Sequence, residues 1–245
     1  MRKAVCLAFC LLLPCAALCD VHVIMDESVH VYEEDGLTLA VLDARFPQLI
    51  GMDDTAVMDR VNRAIADFVR MEGGYDGIIE AASGARAAGA VDFSMWTYTL
   101  HVLAEEKLHR AGQLLTVLYT FSAYAGGAHD DSWLSSAHYD LETGDAVSLA
   151  QLVVDVDAFH TAVGEILLTH IVMLGADEAL GYFDEYPETV RAWRIEQALL
   201  TSDGLLVYFG LYEIAPHAAG IQRIVLDYAL ISQHFTDQCR AWIGL

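Results

Sequence analysis

VDFSMWTYTLHVLAEEKLHRAGQLLTVLYTFSAYAGGAH, residues 91–129, holds two runs of strand length and the bend that follows them. Within Val91–Lys107, Trp96, Tyr98, Leu100 and Val102 share one parity, and Leu114–Ala123 is rich in β-branched and aromatic side chains. Such runs favour a pleated, half-buried surface, and the pair is predicted to form an antiparallel hairpin through Leu108–Gln113. The bend that follows, Tyr124–His129 (YAGGAH), sets small residues and a histidine where strand sequence stops, so backbone geometry rather than bulk is specified there. Trp133–Leu141 reads as a further strand, closed by the turn Glu142-Thr143-Gly144-Asp145.

Upstream, Leu37–Arg45 is strand-like and Phe46-Pro47-Gln48-Leu49 is expected to end it, because proline donates nothing to a ladder. From Asp54 the period changes. Val57, Val61, Ile65, Phe68 and Val69 recur at helical steps, predicting an amphipathic helix to about Met71 with Asp53, Asp54 and Thr55 as capping oxygens. Gly77–Ala90 fits a short helix or a loop.

Downstream, Phe159, Val163, Ile166, Leu167, His170, Ile171 and Leu174 predict a second long helix. Ala176–Val190 reads as a short helix broken at Pro187. Ile195–Leu200 and Leu205–Phe209 flank Ser202-Asp203-Gly204, the signal of a tight hairpin. A second bend, Tyr212–Gly220 (YEIAPHAAG), precedes a strand at Gln222–Tyr228 and a short helix or strand to Ile243. The expected class is α+β, with antiparallel hairpins forming a mixed or antiparallel sheet packed with two main amphipathic helices.

Residues 1–19 have the parts of a secretory signal: basic Arg2 and Lys3, the apolar run Ala4–Leu18, and small residues near a cut. That run is shorter than the roughly 20 residues needed to span a bilayer as a helix. Cleavage near Ala17 or Cys19, and a periplasmic or extracellular place for the body, are expected. Cys19 is the candidate for lipidation, the one route to a membrane in this reading. Cys6, Cys10 and Cys15 belong to the leader, which leaves Cys239 alone and excludes a disulfide framework. Losing the two positive charges of Arg2 and Lys3 takes the formal net charge from −22 to −24. That surface repels nucleic acid and anionic lipid and favours cationic partners.

His129 is the first candidate for chemistry, since Gly126 and Gly127 let a ligand approach the backbone and Asp130 and Asp131 follow. The plainer reading is a turn capped by the histidine. No HExxH or HxxxH pair occurs, His138 with Asp140 is at most a two-ligand fragment, and no metal or cofactor is expected. His160 and His170 fall in the second helix. GxSxG, SxxK and phosphate-loop motifs are missing, and the adjacent carboxylates Asp53-Asp54, Glu105-Glu106 and Asp130-Asp131 read as caps or solvated faces. Tyr212, Pro216 and His217 would make a shallow recognition surface.

Several of these motifs occur together and in order: Phe46-Pro47-Gln48-Leu49, the helix bearing Asn62, the Tyr124–His129 block, Tyr139-Asp140-Leu141 with Gly144, Asp203-Gly204-Leu205, and Tyr212-Glu213-Ile214-Ala215-Pro216. The set resembles the paired DUF4163 and DUF3298 exported module, with residues 20–145 as the first region and 146–245 as the second, expected to pack as one unit. That pair forms the external part of lysozyme-sensing anti-sigma factors and precedes the catalytic domain of some peptidoglycan deacetylases. The resemblance implies a non-enzymatic cell-envelope binding module whose ligand is a cationic, lysozyme-like protein or a cell-wall glycan. It points to Tyr124, Gly126, Gly127, His129, Tyr212, Pro216 and His217 as binding residues. His217 stands where the family usually has tyrosine. With so short a segment before the apolar run, no sigma-binding part is expected. Two alternatives stay open: a peptidoglycan-acting enzyme or accessory domain using the His129 loop with Asp130 and His217, which requires these to converge, and a structural envelope lipoprotein.

Overall fold

The structure, a computed structural model, describes residues 21–109 and 113–245. The expected leader and the lipidation candidate Cys19 lie outside the described residues. The chain opens with a hairpin that the sequence reading did not assign, β1 (His22–Glu34) against β2 (Leu37–Ile50). Asp35 and Gly36 turn it with φ of 50° and 77°, the left-handed pair that a two-residue hairpin needs.

β2 does not stop at Phe46-Pro47 but runs to Ile50, which corrects the expected boundary. The reason lies in α1 (Thr55–Glu72). Its Asn62 accepts from Leu49 N–H at 2.8 Å and donates to Leu49 O at 3.0 Å. Leu49 therefore turns its backbone groups away from β1 toward the helix, and Pro47, two residues earlier, faces the same way. Parallel pairing of β2 with the next strand ends at Arg45, so the missing N–H of Pro47 leaves no ladder bond unmade.

Asp54 caps α1 by accepting from Ala56 and Val57 N–H, and the stripe Val57, Val61, Ile65, Val69 is buried. The ambiguous segment that follows is helical, α2 (Tyr75–Ala87). The two helices carry the chain across to β3 (Tyr98–His109), parallel to β2, so the five-stranded sheet is mixed. β3 then pairs antiparallel with β4 (Leu114–Tyr124), and β4 with β5 (Asp131–Asp140), in the order β1-β2-β3-β4-β5.

The second half begins with a 3-10 turn at Leu149–Leu152 and α3 (Val156–Leu174). By length and composition α3 could cross a membrane, yet Phe159, Val163, Leu167 and Ile171 are buried in a core; the expected stripe ends there, and Val172, Met173 and Leu174 are exposed. α4 (Ala176–Leu180) and α5 (Tyr186–Arg191) follow. Pro187 sits in the first turn of α5, where its missing N–H would be unpaired anyway, so it starts that helix instead of breaking one. β6 (Ala198–Leu200), β7 (Leu205–Phe209) and β8 (Gln222–Leu226) form a small antiparallel sheet, and α6 (Asp237–Ile243) closes the chain. A Cβ on Gly204 would lie 2.1 Å from Leu226 O, so the β6–β7 turn admits no larger residue.

These elements stack in four layers: α1 with α2, the five-stranded sheet, the small sheet, then α3. β4 fixes the stacking by its parity. Leu115, Val117, Tyr119 and Phe121 enter the core under α1, whereas Leu114 packs with the α3 core and Leu118 meets Leu134, Leu199, Leu206 and Tyr208 between the sheets. A polar clasp crosses the same junction. Leu200 O accepts from Thr116 Oγ1 at 3.0 Å and lies 3.2 Å from His109 Nε2, while Leu200 N–H donates to His138 Nε2 at 3.4 Å.

Candidate functional site

The two bends that stood out in the sequence meet. The rings of His129 and His217 lie 4.5 Å apart between centroids, and Tyr212 lies 5.4 Å from His217. The first bend follows β4, and Gly126 and Gly127 take φ of 89° and 117°. Tyr124, half-buried at the end of β4, donates its hydroxyl to Gly127 O at 3.3 Å and lies 6.4 Å from the exposed Trp96. His129 Nδ1 is 2.9 Å from Asp130 O; a carbonyl only accepts, so Nδ1 carries the proton. Asp130 accepts from Ser122 Oγ at 3.3 Å.

The second bend is built more rigidly. Glu213 accepts from Gly210 N–H at 2.6 Å and from Gln197 Nε2 at 2.8 and 3.0 Å. Ile214 and Ala215 are buried, and Ile214 O accepts from Phe183 N–H. Pro216 then leads into a 3-10 turn, His217–Ala219, whose end is held by Gln222 Nε2 donating to Ala219 O and Gly220 O. His217 Nε2 is buried without a hydrogen-bond partner. Tyr212 adopts φ of 61° and is 60% exposed. Anchored on both sides, this bend presents an aromatic outward from a backbone conformation that tyrosine seldom takes.

Residues 175–229 match the DUF3298 family, described as a protein of unknown function. That segment carries Tyr212, Pro216 and His217, together with the pins Gln197, Glu213 and Gln222. Solved structures resemble most of the chain, among them two of the DUF3298 family. A DUF3298 family member from Bacteroides fragilis aligns at TM-score 0.67 with 17% identity, covering 93% of this chain and 97% of its own. A DUF3298 family protein from Pseudomonas aeruginosa aligns at 0.55 with 15% identity, covering 91% and 98%. At these identities they show the fold. Among curated proteins none matches the sequence.

The DUF3298 segment therefore supplies one half of the meeting point, and β4 with its bend supplies the other. Beside it lies an open groove of about 400 Å³, bounded by Gly73, Gly74 and Gly77 of the α1–α2 junction, Glu72, His129 and Trp133. The Trp133 indole stacks on Phe121 at 5.2 Å and 9°. Glu72, Trp133 and the three pins escaped the sequence reading, since nothing in their spacing marks them.

His138 and His160 are structural. His138 does not pair with Asp140 as a ligand fragment, because its Nε2 accepts from Leu200 N–H and burial pushes its pKa down to about 4. His160 stacks on Trp193 at 5.4 Å, and its Nε2 donates to Trp193 O at 2.6 Å. Cys239 is fully buried and its thiol is pushed up to about 12, so it is a core residue and no nucleophile. Among the described residues no group of three or more His, Cys, Asp or Glu is arranged to hold a metal.

Proposed function

We propose that the chain is an exported, non-enzymatic recognition module of the cell envelope, and that the joined bends at His129, His217 and Tyr212 are its binding surface. One observation carries this reading: bends from two separate cores present their rings together, with Tyr212 held exposed at positive φ. Strained backbone persists where surrounding structure enforces it, and such positions concentrate at ligand-binding sites. The resemblance of the first region to DUF4163, and the setting that pairing has elsewhere, supply the envelope.

The preferred ligand is a cationic protein of lysozyme type, with a cell-wall glycan as the other candidate. A formal net charge of −22 on the full chain favours the former by steering. Calorimetric titration with lysozyme, and separately with solubilised peptidoglycan fragments, tests both. Tyr212→Ala and His217→Ala should each weaken the productive titration at least tenfold while thermal unfolding stays cooperative. Failure of both ligands to bind would overturn the reading. N-terminal sequencing of the exported protein should find a cut near Ala17 or Cys19, and mass spectrometry would reveal a lipid on Cys19.

The convergence of His129 and His217 also favours a second reading, an accessory or enzyme acting on peptidoglycan. Turnover of isolated cell-wall sacculi that disappears in His129→Ala would select it.

A further inference from the structure

We propose that the open edge of β5 accepts an extended, basic segment of a partner protein by strand addition. This rests on the reading of the chain as a protein-recognition module and names where the partner docks. The ladder decides which groups are free. His138 O accepts from Val147 N–H at 2.9 Å, and Asp140 N–H donates to Asp145 O at 3.0 Å, so even-numbered residues of β5 direct their N–H and C=O away from β4. The segment through Ala146 covers this edge only at its far end, by a single bridge to Tyr139. Beyond it, the outward groups of Ser132, Leu134 and Ser136 have no strand beside them and no backbone partner among the described residues.

Hollows flank the same edge. A crevice of about 410 Å³ runs beside Ser136 and Ala137, between Ala64 and Phe68 of α1 and Ile195 with Glu196. Toward the start of β5, the groove of Glu72, Asp131 and Trp133 leads to His129. Trp133, Ser135 and Ala137 share one parity, and Ser135 Oγ donates to Glu72 at 3.3 Å, so the groove opens along the α1 side of the strand. The crevice reaches from α1 past the edge to Glu196 and Ala198, where Ser136 Oγ donates to the carbonyls of both. A strand laid there would set one row of side chains against Phe68 and Ala137 and meet the carboxylates of Glu72, Asp131 and Glu196. Neither hollow is lined by lysine or arginine, which selects a basic segment with alternating apolar residues. The other free edge, β1, carries Asp26, Glu27, Glu33 and Glu34, all exposed, as a guarded edge does.

The probe is a synthetic peptide alternating lysine and valine over about ten residues, long enough at strand rise to follow β5, with a counterpart N-methylated at alternate residues. Binding to the full-length chain is read by amide hydrogen exchange in NMR. Saturable binding should slow exchange at Leu134 and Ser136, and the N-methylated peptide should bind at least tenfold more weakly. Ser136→Pro removes one outward N–H and leaves the β4 ladder intact; Ala64→Trp fills the crevice from α1 without touching β5. Each should weaken the peptide at least tenfold, and if Ser136→Pro does not fold, Ala64→Trp decides. Binding without protection of these amides, equal binding of the N-methylated peptide, or no saturable binding at millimolar peptide overturns strand addition. Lysozyme lost by Tyr212→Ala but kept by both edge variants would remove the edge and leave the loop surface standing. Peptide bound with amide protection, while neither envelope ligand binds, would do the reverse.

Discussion

Tyr212 and Asp35 are the two non-glycine residues with positive φ among the described residues. Both sit in turns: Asp35 in its hairpin, and Tyr212 at the third position of the Gly210–Glu213 turn, closed by Glu213 N–H donating to Gly210 O at 3.2 Å, a position that usually falls to glycine. A left-handed conformation costs a non-glycine residue about 1–2 kcal/mol. Tyr212→Gly is therefore expected to leave the denaturation midpoint unchanged or raise stability by up to about 1 kcal/mol, while lysozyme or glycan binding falls at least tenfold. A clearly less stable variant would mean that packing on His217, and not exposure, maintains the strain. Individual bend residues were legible because glycine and histidine interrupt strand sequence at 124–129 and 212–220. Their meeting was not, since it depends on how two sheets stack, and no local spacing encodes that. Glu213 and Gln197 were invisible for a related reason: a carboxylate that caps its own loop looks like any solvated acid in sequence.

At the scale of elements, Asn62 substitutes for a strand. It satisfies both backbone groups of Leu49 from the helix side, so Asn62→Leu should strand a half-buried donor and acceptor at a cost of about 1–3 kcal/mol, measured by urea unfolding. Pro47→Val should change stability far less, because no ladder bond waits for the restored N–H. Elements with a clear period were legible in kind: α1, α3, and the β3–β4 and β6–β7 hairpins. β3 nevertheless begins at Tyr98 and not at Val91, leaving Trp96 outside it, and β6 begins at Ala198 after a 3-10 turn at Ile195–Gln197. Prolines misled where tertiary context decides their meaning, since Pro47 faces a helix and Pro187 opens one. β1 escaped because polar and apolar residues mix along HVIMDESVHVYEE, although Asp35-Gly36 carried the turn signal. α2 stayed ambiguous because alanine and glycine give little face to bury, and Ala82 is its one buried residue.

At the scale of the molecule, the clasp between the sheets makes stability pH-dependent. Burial lowers the pKa of both His109 and His138, the latter to about 4. The unfolded chain, with imidazoles at about 6.5, binds these protons first. Stability is thus full above pH 6.5, falls as pH drops toward 4 and levels off below, by on the order of 3 kcal/mol for His138. His138→Gln keeps an acceptor for Leu200 N–H and should flatten that window in urea titrations run at successive pH values. Charge adds a second dependence: association with a basic partner should slow as ionic strength rises, chiefly through the on-rate in stopped-flow mixing.

The two-sided burial of β4 also bears on biosynthesis. A nascent chain that has emerged only through Asp145 already contains the whole five-stranded sheet, yet Leu114, Leu118 and Leu134 still await their cover from the C-terminal hairpins. During that interval the growing polypeptide displays a greasy face to its surroundings. Holdase chaperones would find their handle there, and a protein cut short at that point should precipitate rather than persist as a monomer.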